Sequence, residues 1–203
     1  MLLEINPDNP DVRKIKMVAE RLSKGDIIIY PTDTVYGIGC DILNQKAVER
    51  VCRIRALNPA KANLTFICKD LAQLSTYVHQ IDNQLFRMLK QNIPGAFTFV
   101  FKANKLVPRH FKNKRRTVGI RVPNNEIAQS IIEKLDRPIL SISLNPKDDN
   151  DEYLVEPYLM HEQYEKLVDI VIDGGVGGTE PSTVVDCTGE EIEIIREGKA
   201  ELR

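Results

Sequence analysis

A short unbroken apolar run, Ile27–Tyr30, restricts the fold of this chain more than any other feature. It follows a helical repeat over residues 12–22 and stops at Pro31. A run of this kind predicts a strand that is buried on both faces, because a strand with one wet face would alternate polar and apolar residues. A sheet with helices packed on both sides meets that requirement.

Helical and extended patterns alternate along the rest of the chain. Further strands are predicted at 64–68, 97–101, 117–122, 139–143, 168–173, 182–187 and 192–196, and further helices at 44–54, 70–77, 82–91, 126–135 and 158–167. Asn9, followed by Pro10, predicts the start of the first helix, and Gly25 predicts its end. Asn44 predicts the start of the second helix. This order favours one α/β (α+β) domain over residues 1–203, with a large twisted mixed sheet flanked by helices.

The charge balance shows that any site for an anionic ligand must come from local clusters of cations. Lys and Arg together number 28, Asp and Glu number 29, and the net charge is -1. No apolar run approaches the roughly 20 residues that span a bilayer, and the N-terminus lacks a signal-peptide pattern. The cysteines show no metal-binding spacing; they are Cys40, Cys52, Cys68 and Cys187. We therefore expect a cytoplasmic protein with reduced thiols, no protein metal site and no membrane partner.

Hydroxyl groups follow the first predicted strand directly. Segment 31–37 reads Pro-Thr-Asp-Thr-Val-Tyr-Gly, which places Thr32, Thr34 and Tyr36 just beyond the strand end. Gly37 allows another group to approach the backbone closely. Because α/β sheets bind ligands at strand ends, a ligand site is one interpretation. A hydrogen-bonded turn that only caps the strand is the other.

Polar side chains also occur in strands that are otherwise apolar. Ser141, Ser143 and Asn145 alternate at the end of a predicted strand and would share one face of the sheet. Arg121 lies inside the apolar stretch Val118–Pro123, where an unpaired charge would be expensive to bury. Both patterns indicate a binding site, although a half-exposed strand would also explain the serines.

Cations cluster at two places. Arg53 and Arg55 are predicted at the end of a helix with Lys61 beyond it, which suits either an anion site or a solvated helix end. The run 112–116 carries four charges in five residues and is either a solvated loop or the rim of a nucleotide or RNA cleft. The glycine run 173–178 has neither the GxGxxG nor the Walker pattern, so we interpret it as a flexible connection.

The motifs occur in the order and spacing of one known family. They are Pro-Thr-Asp-Thr-Val-Tyr-Gly at 31–37, Arg-Ile-Arg at 53–55, Pro-Gly-Ala-Phe-Thr at 94–98, Arg-Val-Pro at 121–123, Ser-Leu-Asn at 143–145, Pro-Ser-Thr-Val-Val-Asp at 181–186 and Ile-Arg-Glu-Gly at 195–198. Together they resemble the YrdC/YciO family over nearly the whole chain. The stretches at 53–55 and 94–98 look more like its YciO branch.

The resemblance implies a YrdC-like fold with a concave basic cleft. It also implies the activity of the family's threonylcarbamoyl-AMP synthases, which join L-threonine, bicarbonate and ATP, with Mg²⁺ on the ATP, and release pyrophosphate. Their product feeds the N6-threonylcarbamoyl modification of adenosine 37 in tRNA. Such chemistry needs positioning and charge neutralisation rather than a side-chain nucleophile, and no nucleophile constellation is evident in the sequence.

The resemblance assigns roles to two groups of residues. The residues that would hold ATP are Arg53, Arg55, Lys61, Thr98, Ser143, Asn145 and Arg196. Arg53, Arg55 and Lys61 would act as catalytic cations at the triphosphate. The residues that would bind threonine are Thr32, Thr34, Tyr36, Arg121, Ser141 and Ser182. Arg121 would pair with the carboxylate of threonine.

One departure from the family pattern keeps a second hypothesis open. Arg53 stands where the family has lysine, and a guanidinium group is larger than an ammonium group. The second hypothesis is a YciO-type protein that binds nucleotide, tRNA or double-stranded RNA without synthase activity, or that acts on a related threonylcarbamoyl substrate. A synthase would release pyrophosphate only with threonine and bicarbonate, whereas RNA binding would weaken steeply with salt.

Overall fold

The computed structural model describes residues 1–58, 64–111, 116–144 and 155–203. The strands within these ranges are β1 (Leu2–Glu4), β2 (Ile28–Tyr30), β3 (Gly37–Asp41), β4 (Thr65–Ile67), β5 (Phe97–Lys102), β6 (Thr117–Arg121), β7 (Ile139–Ser143), β8 (Ile170–Asp173), β9 (Thr183–Asp186) and β10 (Glu193–Arg196). The α-helices are α1 (Val12–Ser23), α2 (Gln45–Ile54), α3 (Leu71–Tyr77), α4 (Asn83–Asn92), α5 (Glu126–Leu135) and α6 (Pro157–Tyr164). A short 3-10 helix spans Arg109–Phe111.

All of these strands join one mixed sheet, in the order β1-β8-β2-β3-β7-β4-β6-β5-β9-β10. The pairs β1/β8, β2/β8, β4/β6 and β5/β9 are parallel, and the other neighbours are antiparallel. This confirms the predicted single α/β domain with a large mixed sheet. The two edge strands, β1 and β10, are the first and last strands along the described chain.

The helix ends follow local capping chemistry. Asp11, not Asn9, caps α1: its carboxylate accepts hydrogen bonds from the backbone N–H groups of Arg13 and Lys14 at 2.8 and 3.1 Å. The prediction of Asn9 was wrong because a better acceptor lies two residues further along, directly before the helix. Asn44 caps α2 as predicted, with its Oδ1 atom 3.0 Å from the N–H of Ala47.

The two faces of the sheet are covered unequally. On one face, α2, α3, α4 and α6 pack on an extended core that includes Phe66 and Phe99. On the other face, α1 and α5 pack on a smaller core that includes Ile28, Tyr30 and Ile170. That second core draws its strand residues mainly from the β1 side of the sheet. The other half of the second face is therefore left without a covering helix in the described chain.

Element boundaries agree with the sequence wherever a hydrophobic repeat is strong. Both α5 and β7 begin and end at the predicted residues. The short strands β1 and β3 were not predicted. All four cysteines are free, and three are buried. Within the described ranges, no helix is long and apolar enough to cross a membrane.

Candidate functional site

A cleft of about 440 Å³ opens on the uncovered half of the second sheet face. The lining side chains are Arg55, Leu57, Thr65, Ile67, Thr98, Val100, Gly119, Arg121, Ser141, Ile142, Ser143, Ser182, Val184, Ile195 and Arg196. Strand register explains why these residues meet: Thr65 lies directly opposite both Ser141 and Gly119, and Gly119 lies opposite Val100. Residues that are directly opposite each other share a face of the sheet. The floor of the cleft is therefore built across β7, β4, β6 and β5.

The cleft is basic. Three guanidinium groups line it, those of Arg55, Arg121 and Arg196, and its described lining contains no carboxylate. The other polar lining groups are hydroxyls, which can donate to an anion as well as accept from a donor. Such a site suits a ligand that carries several negative charges.

Arg121 is the most buried of the three arginines. It ends β6, and its side chain is only 6% exposed. Its Nη2 atom donates to the carboxylate of Asp33 and lies 3.4 Å from Oγ1 of Thr32. Its Nε atom is buried and has no hydrogen-bond partner among the described residues. A buried donor without a partner is costly to the protein.

The loop between β2 and β3 is bound together by its own hydroxyl groups. Oγ1 of Thr32 lies 3.1 Å from Oγ1 of Thr34 and donates to the backbone oxygen of Val35 at 2.7 Å. The Nζ atom of Lys199 donates to the backbone oxygen of Asp33 at 2.7 Å. Thr32 and Asp33 contact Arg121, and Thr34 is buried; none of the three is among the residues that line the cleft.

Tyr36 lies away from the cleft and holds the glycine run instead. Its hydroxyl donates to the backbone oxygen of Gly175 at 2.7 Å and accepts from the N–H of Gly174 at 3.2 Å. Burial raises the pKa of this hydroxyl to about 12. A Cβ atom at Gly178 would stand 2.6 Å from the backbone oxygen of Thr34. The glycine run therefore packs closely on the loop, a role that its interpretation as a plain connection missed.

Ser141 and Ser143 both line the cleft, on the same face of β7 as their alternation predicts. The hydroxyl of Tyr30, which is completely buried, donates to Oγ of Ser141 at 2.8 Å. The Tyr30 ring reaches this position by lying over β3, where a Cβ at Gly39 would come within 3.1 Å of it. A Cβ at Gly37, for which a close approach was predicted, would lie 2.7 Å from Oγ of Ser141 and 3.4 Å from the same ring.

A second group of partners lies where β5, β9 and β10 meet. Oγ1 of Thr98 and Oγ of Ser182 are 2.8 Å apart. Nη2 of Arg196 donates to the backbone oxygen of Ser182 at 2.7 Å and lies 3.3 Å from its Oγ atom. The pairing of β10 with β9 shifts register between Ile194 and Arg196. Such a bulge redirects the following side chain, here toward the cleft.

The two arginines at the end of α2 separate. Arg55 is the C-cap residue and lines the cleft, whereas Arg53, in the last turn, is exposed and outside the lining. The reason is helical geometry, since residues two apart point to different sides of a helix. Lys61, Asn145 and most of the basic run (112–115) lie outside the described residues.

Sequence reasoning missed much of the apolar and small lining, including Leu57, Thr65, Gly119 and Ile195. For two of these residues, Thr65 and Gly119, the sequence contains a pattern that could have indicated a place in the cleft. Thr65 is a polar residue at the start of an apolar strand, as Arg121 is at the end of another. A glycine inside a strand, such as Gly119, indicates a close approach; a Cβ there would lie 3.0 Å from Oγ1 of Thr65.

The fold and the cleft define a YrdC-like α/β protein, and comparisons with known proteins identify the family. The family model Sua5_yciO_yrdC, described as telomere recombination, matches residues 20–198. YciO of Escherichia coli (strain K12), described as uncharacterized, is 44% identical over 201 residues, which cover 98% of this chain and 96% of YciO. The crystal structure of E. coli YciO matches with a TM-score of 0.92 at 41% identity, covering 100% of this chain and 98% of YciO. The chain therefore belongs to the Sua5/YciO/YrdC family, which confirms the resemblance.

The family also includes enzymes. A threonylcarbamoyl-AMP synthase of Pseudoalteromonas translucida (strain TAC 125) is 30% identical over 177 residues, covering 84% of this chain and 91% of the relative. The crystal structure of Pyrococcus abyssi Sua5 complexed with L-threonine matches with a TM-score of 0.87 at 27% identity. It covers 98% of this chain and 57% of that chain.

Proposed function

We propose that this protein forms threonylcarbamoyl-AMP from L-threonine, bicarbonate and Mg²⁺-bound ATP, and releases pyrophosphate. The observation that carries the proposal is a single cleft in which three arginines and a set of hydroxyl groups converge. Relatives that are named threonylcarbamoyl-AMP synthase align over most of the chain and support the same reaction.

The proposed triphosphate site lies between Arg55 and Arg196. Both guanidinium groups line the cleft, and Arg196 is held in place by the backbone oxygen of Ser182. Guanidinium groups bind phosphate through paired, charge-assisted hydrogen bonds. Thr98 and Ser143 line the same cleft and would bind polar groups of the nucleotide. In this proposal Mg²⁺ arrives with the ATP, as part of the substrate.

The proposed threonine site lies around Arg121. Its guanidinium group lines the cleft and would donate to the substrate carboxylate. Ser141 adds a second donor, because its oxygen already accepts from Tyr30 and its own proton is left for another acceptor. Thr32 contacts Arg121 from the other side and would complete this end of the site.

The reaction requires positioning rather than a protein nucleophile. The threonine amine forms a C–N bond with the bicarbonate carbon and water leaves, giving a carbamate. A carbamate oxygen then attacks the α-phosphorus of ATP, and the α–β P–O bond breaks to release pyrophosphate. Each bond that forms or breaks belongs to a substrate. The protein would align them and neutralise charge on the phosphates, which accelerates phosphoryl-group chemistry strongly.

The proposal is tested by measuring pyrophosphate release from Mg²⁺–ATP, with L-threonine and bicarbonate present together, singly and not at all. We expect release only when both are present. No release from a protein that still binds ATP would refute the synthase and favour the nucleotide- or RNA-binding alternative. Salt-sensitive binding of tRNA would then be the next measurement.

The nucleotide assignment has its own test, in which ATP binding is measured by titration calorimetry. We expect Arg55→Ala to weaken binding at least about tenfold, because it removes a charge-assisted contact. Arg53→Ala should cost less, since Arg53 is exposed and outside the lining. Arg87→Ala, an exposed arginine on α4, is the matched control. Unchanged affinity in Arg55→Ala would contradict this placement of the triphosphate.

A further inference from the structure

The hydroxyl groups that line the cleft differ in whether the protein already uses them. Ser141 accepts a hydrogen bond from Tyr30 at 2.8 Å. The hydroxyl oxygens of Thr98 and Ser182 are 2.8 Å apart and bond to each other. The hydroxyl of Thr65 also lines the cleft, but it forms no hydrogen bond with the described part of the chain. Its donor and its acceptor sites are therefore available to a ligand.

Thr65 lies in the middle of the cleft floor. It begins β4, which runs between β7 and β6, and it lies directly opposite Ser141 on one neighbour and Gly119 on the other. Its Oγ1 atom would be 3.0 Å from a Cβ atom at Gly119. Because glycine has no side chain, that residue leaves the hydroxyl group uncovered on the side of β6.

The strand register also places Thr65 between the two ends of the proposed site. Arg121 lies two residues beyond Gly119 on β6, which is parallel to β4. Ser143 lies two residues beyond Ser141 on β7, which is antiparallel to β4. The two residues are therefore displaced from Thr65 in opposite directions, each by about 7 Å along the strands. Arg121 belongs to the proposed threonine site, and Ser143 belongs to the proposed nucleotide site.

Bicarbonate must bind in the same intermediate position for the proposed reaction to occur. Its carbon atom has to reach the amine of threonine, and an oxygen of the resulting carbamate has to reach the α-phosphorus of ATP. Bicarbonate is a small anion whose oxygens accept hydrogen bonds, and a threonine hydroxyl can donate one. The described lining of the cleft contains no carboxylate that would repel it.

We propose that Thr65 binds bicarbonate, by donating its hydroxyl proton to a bicarbonate oxygen on the floor of the cleft. This inference rests on the proposed function and assigns the bicarbonate subsite within it. The alternative is that Thr65 only shapes the floor on which the larger substrates lie. In that case its hydroxyl group would be dispensable, or its loss would weaken the binding of ATP or threonine instead.

The test measures pyrophosphate release as a function of bicarbonate concentration, with saturating Mg²⁺–ATP and L-threonine, in buffers freed of dissolved carbon dioxide. Thr65→Val keeps the shape of the side chain and removes its hydroxyl group. We expect this variant to raise the KM for bicarbonate about tenfold, as for the loss of one hydrogen bond to a charged group. Thr65→Ser restores the hydroxyl group and should change this KM less than about threefold. Thr76→Val, at an exposed threonine on α3, is the matched control and should leave it unchanged.

Calorimetric titration of the same samples with ATP and with L-threonine separates the two roles. Affinities that are unchanged in Thr65→Val show that the variant is folded and that the effect belongs to bicarbonate. An unchanged KM for bicarbonate, or a loss of ATP or threonine affinity as large as the rise in that KM, would overturn the inference and leave the proposed function intact. If the unmodified protein releases no pyrophosphate at any bicarbonate concentration, the proposed function itself fails, and the bicarbonate subsite fails with it.

Discussion

Removing the hydroxyl of Tyr30 should destabilise the protein by an amount that depends on pH. Tyr30 is completely buried, and its hydroxyl donates to Oγ of Ser141 at 2.8 Å. Tyr30→Phe deletes this hydrogen bond but keeps the ring that packs over β3. A buried hydrogen bond contributes about 1 kcal/mol to stability. The Ser141 hydroxyl lines the cleft, where water can replace the lost partner, so we expect the free energy of unfolding to fall by about 1 kcal/mol near pH 8.

Raising the pH should reduce this difference. Burial raises the pKa of Tyr30 to about 12, from an ordinary value near 10. The unfolded chain then ionises Tyr30 at a lower pH than the folded chain does, so the stability that depends on its proton is complete below about pH 10 and is lost between about pH 10 and 12. By about pH 11 this loss reaches roughly 1.4 kcal/mol in the native protein, and Tyr30→Phe does not suffer it. The two proteins should therefore be about equally stable near pH 11.

Urea unfolding at the two pH values, under reducing conditions, measures both effects. Tyr158→Phe is the matched control, since Tyr158 is 61% exposed and its loss should change stability by less than about 0.5 kcal/mol. A constant difference between the native protein and Tyr30→Phe at both pH values would refute the argument from burial. Equal stability near pH 8 would refute the assigned hydrogen bond.

Two further variants test a close backbone contact beside Arg196 and a buried ion pair elsewhere in the fold. A Cβ at Gly198 would stand 2.4 Å from the backbone oxygen of Pro181, so Gly198→Ala should shift the nearby Arg196. We expect this variant to bind ATP about tenfold more weakly when binding is measured by calorimetry. Gly189→Ala is the control, because a Cβ at Gly189 has room and should leave ATP binding unchanged. The side chain of Asp41 is 3% exposed and accepts from Nε of Arg137 at 2.8 and 2.9 Å. Asp41→Asn should lower the free energy of unfolding by about 2 kcal/mol. This value is smaller than for a fully buried ion pair, because Arg137 is partly exposed and solvent screens its charge. Urea unfolding checks the second value, and a loss below about 0.5 kcal/mol would contradict it.

Polar residues that interrupt an apolar strand in the sequence lie in the lining of the cleft. Arg121 could be recognised because an unpaired charge in a buried strand is costly, and the structure indeed gives it a carboxylate partner. Ser141 and Ser143 were found by alternation alone, because a strand presents every second residue on the same face. Both arguments use only neighbours in the sequence, which is why they succeed without a structure.

The features that were missed depend on distant parts of the chain. Asp33 lies in the polar segment 31–37, and its ion pair with Arg121 joins residues 88 positions apart. Strand β3 was not predicted, because glycines are typical of turns and the packing of the Tyr30 ring against them is evident only once the fold is known. Tyr36, which the resemblance assigns to the threonine site, donates its hydroxyl to the backbone of the glycine run. Neither periodicity nor composition reports such pairings.

The arginines in the cleft also constrain how tightly a ligand can bind. Three cations that face one another repel, so the empty protein must hold them with internal partners. Asp33 does this for Arg121, and the backbone oxygen of Ser182 does it for Arg196. These partners fix the positions of the two guanidinium groups before any ligand is bound. Groups that are already held in place lose less conformational freedom when an anion binds, so the cost of ordering them is smaller. The same contacts that stabilise the empty cleft thereby prepare it for an anionic substrate.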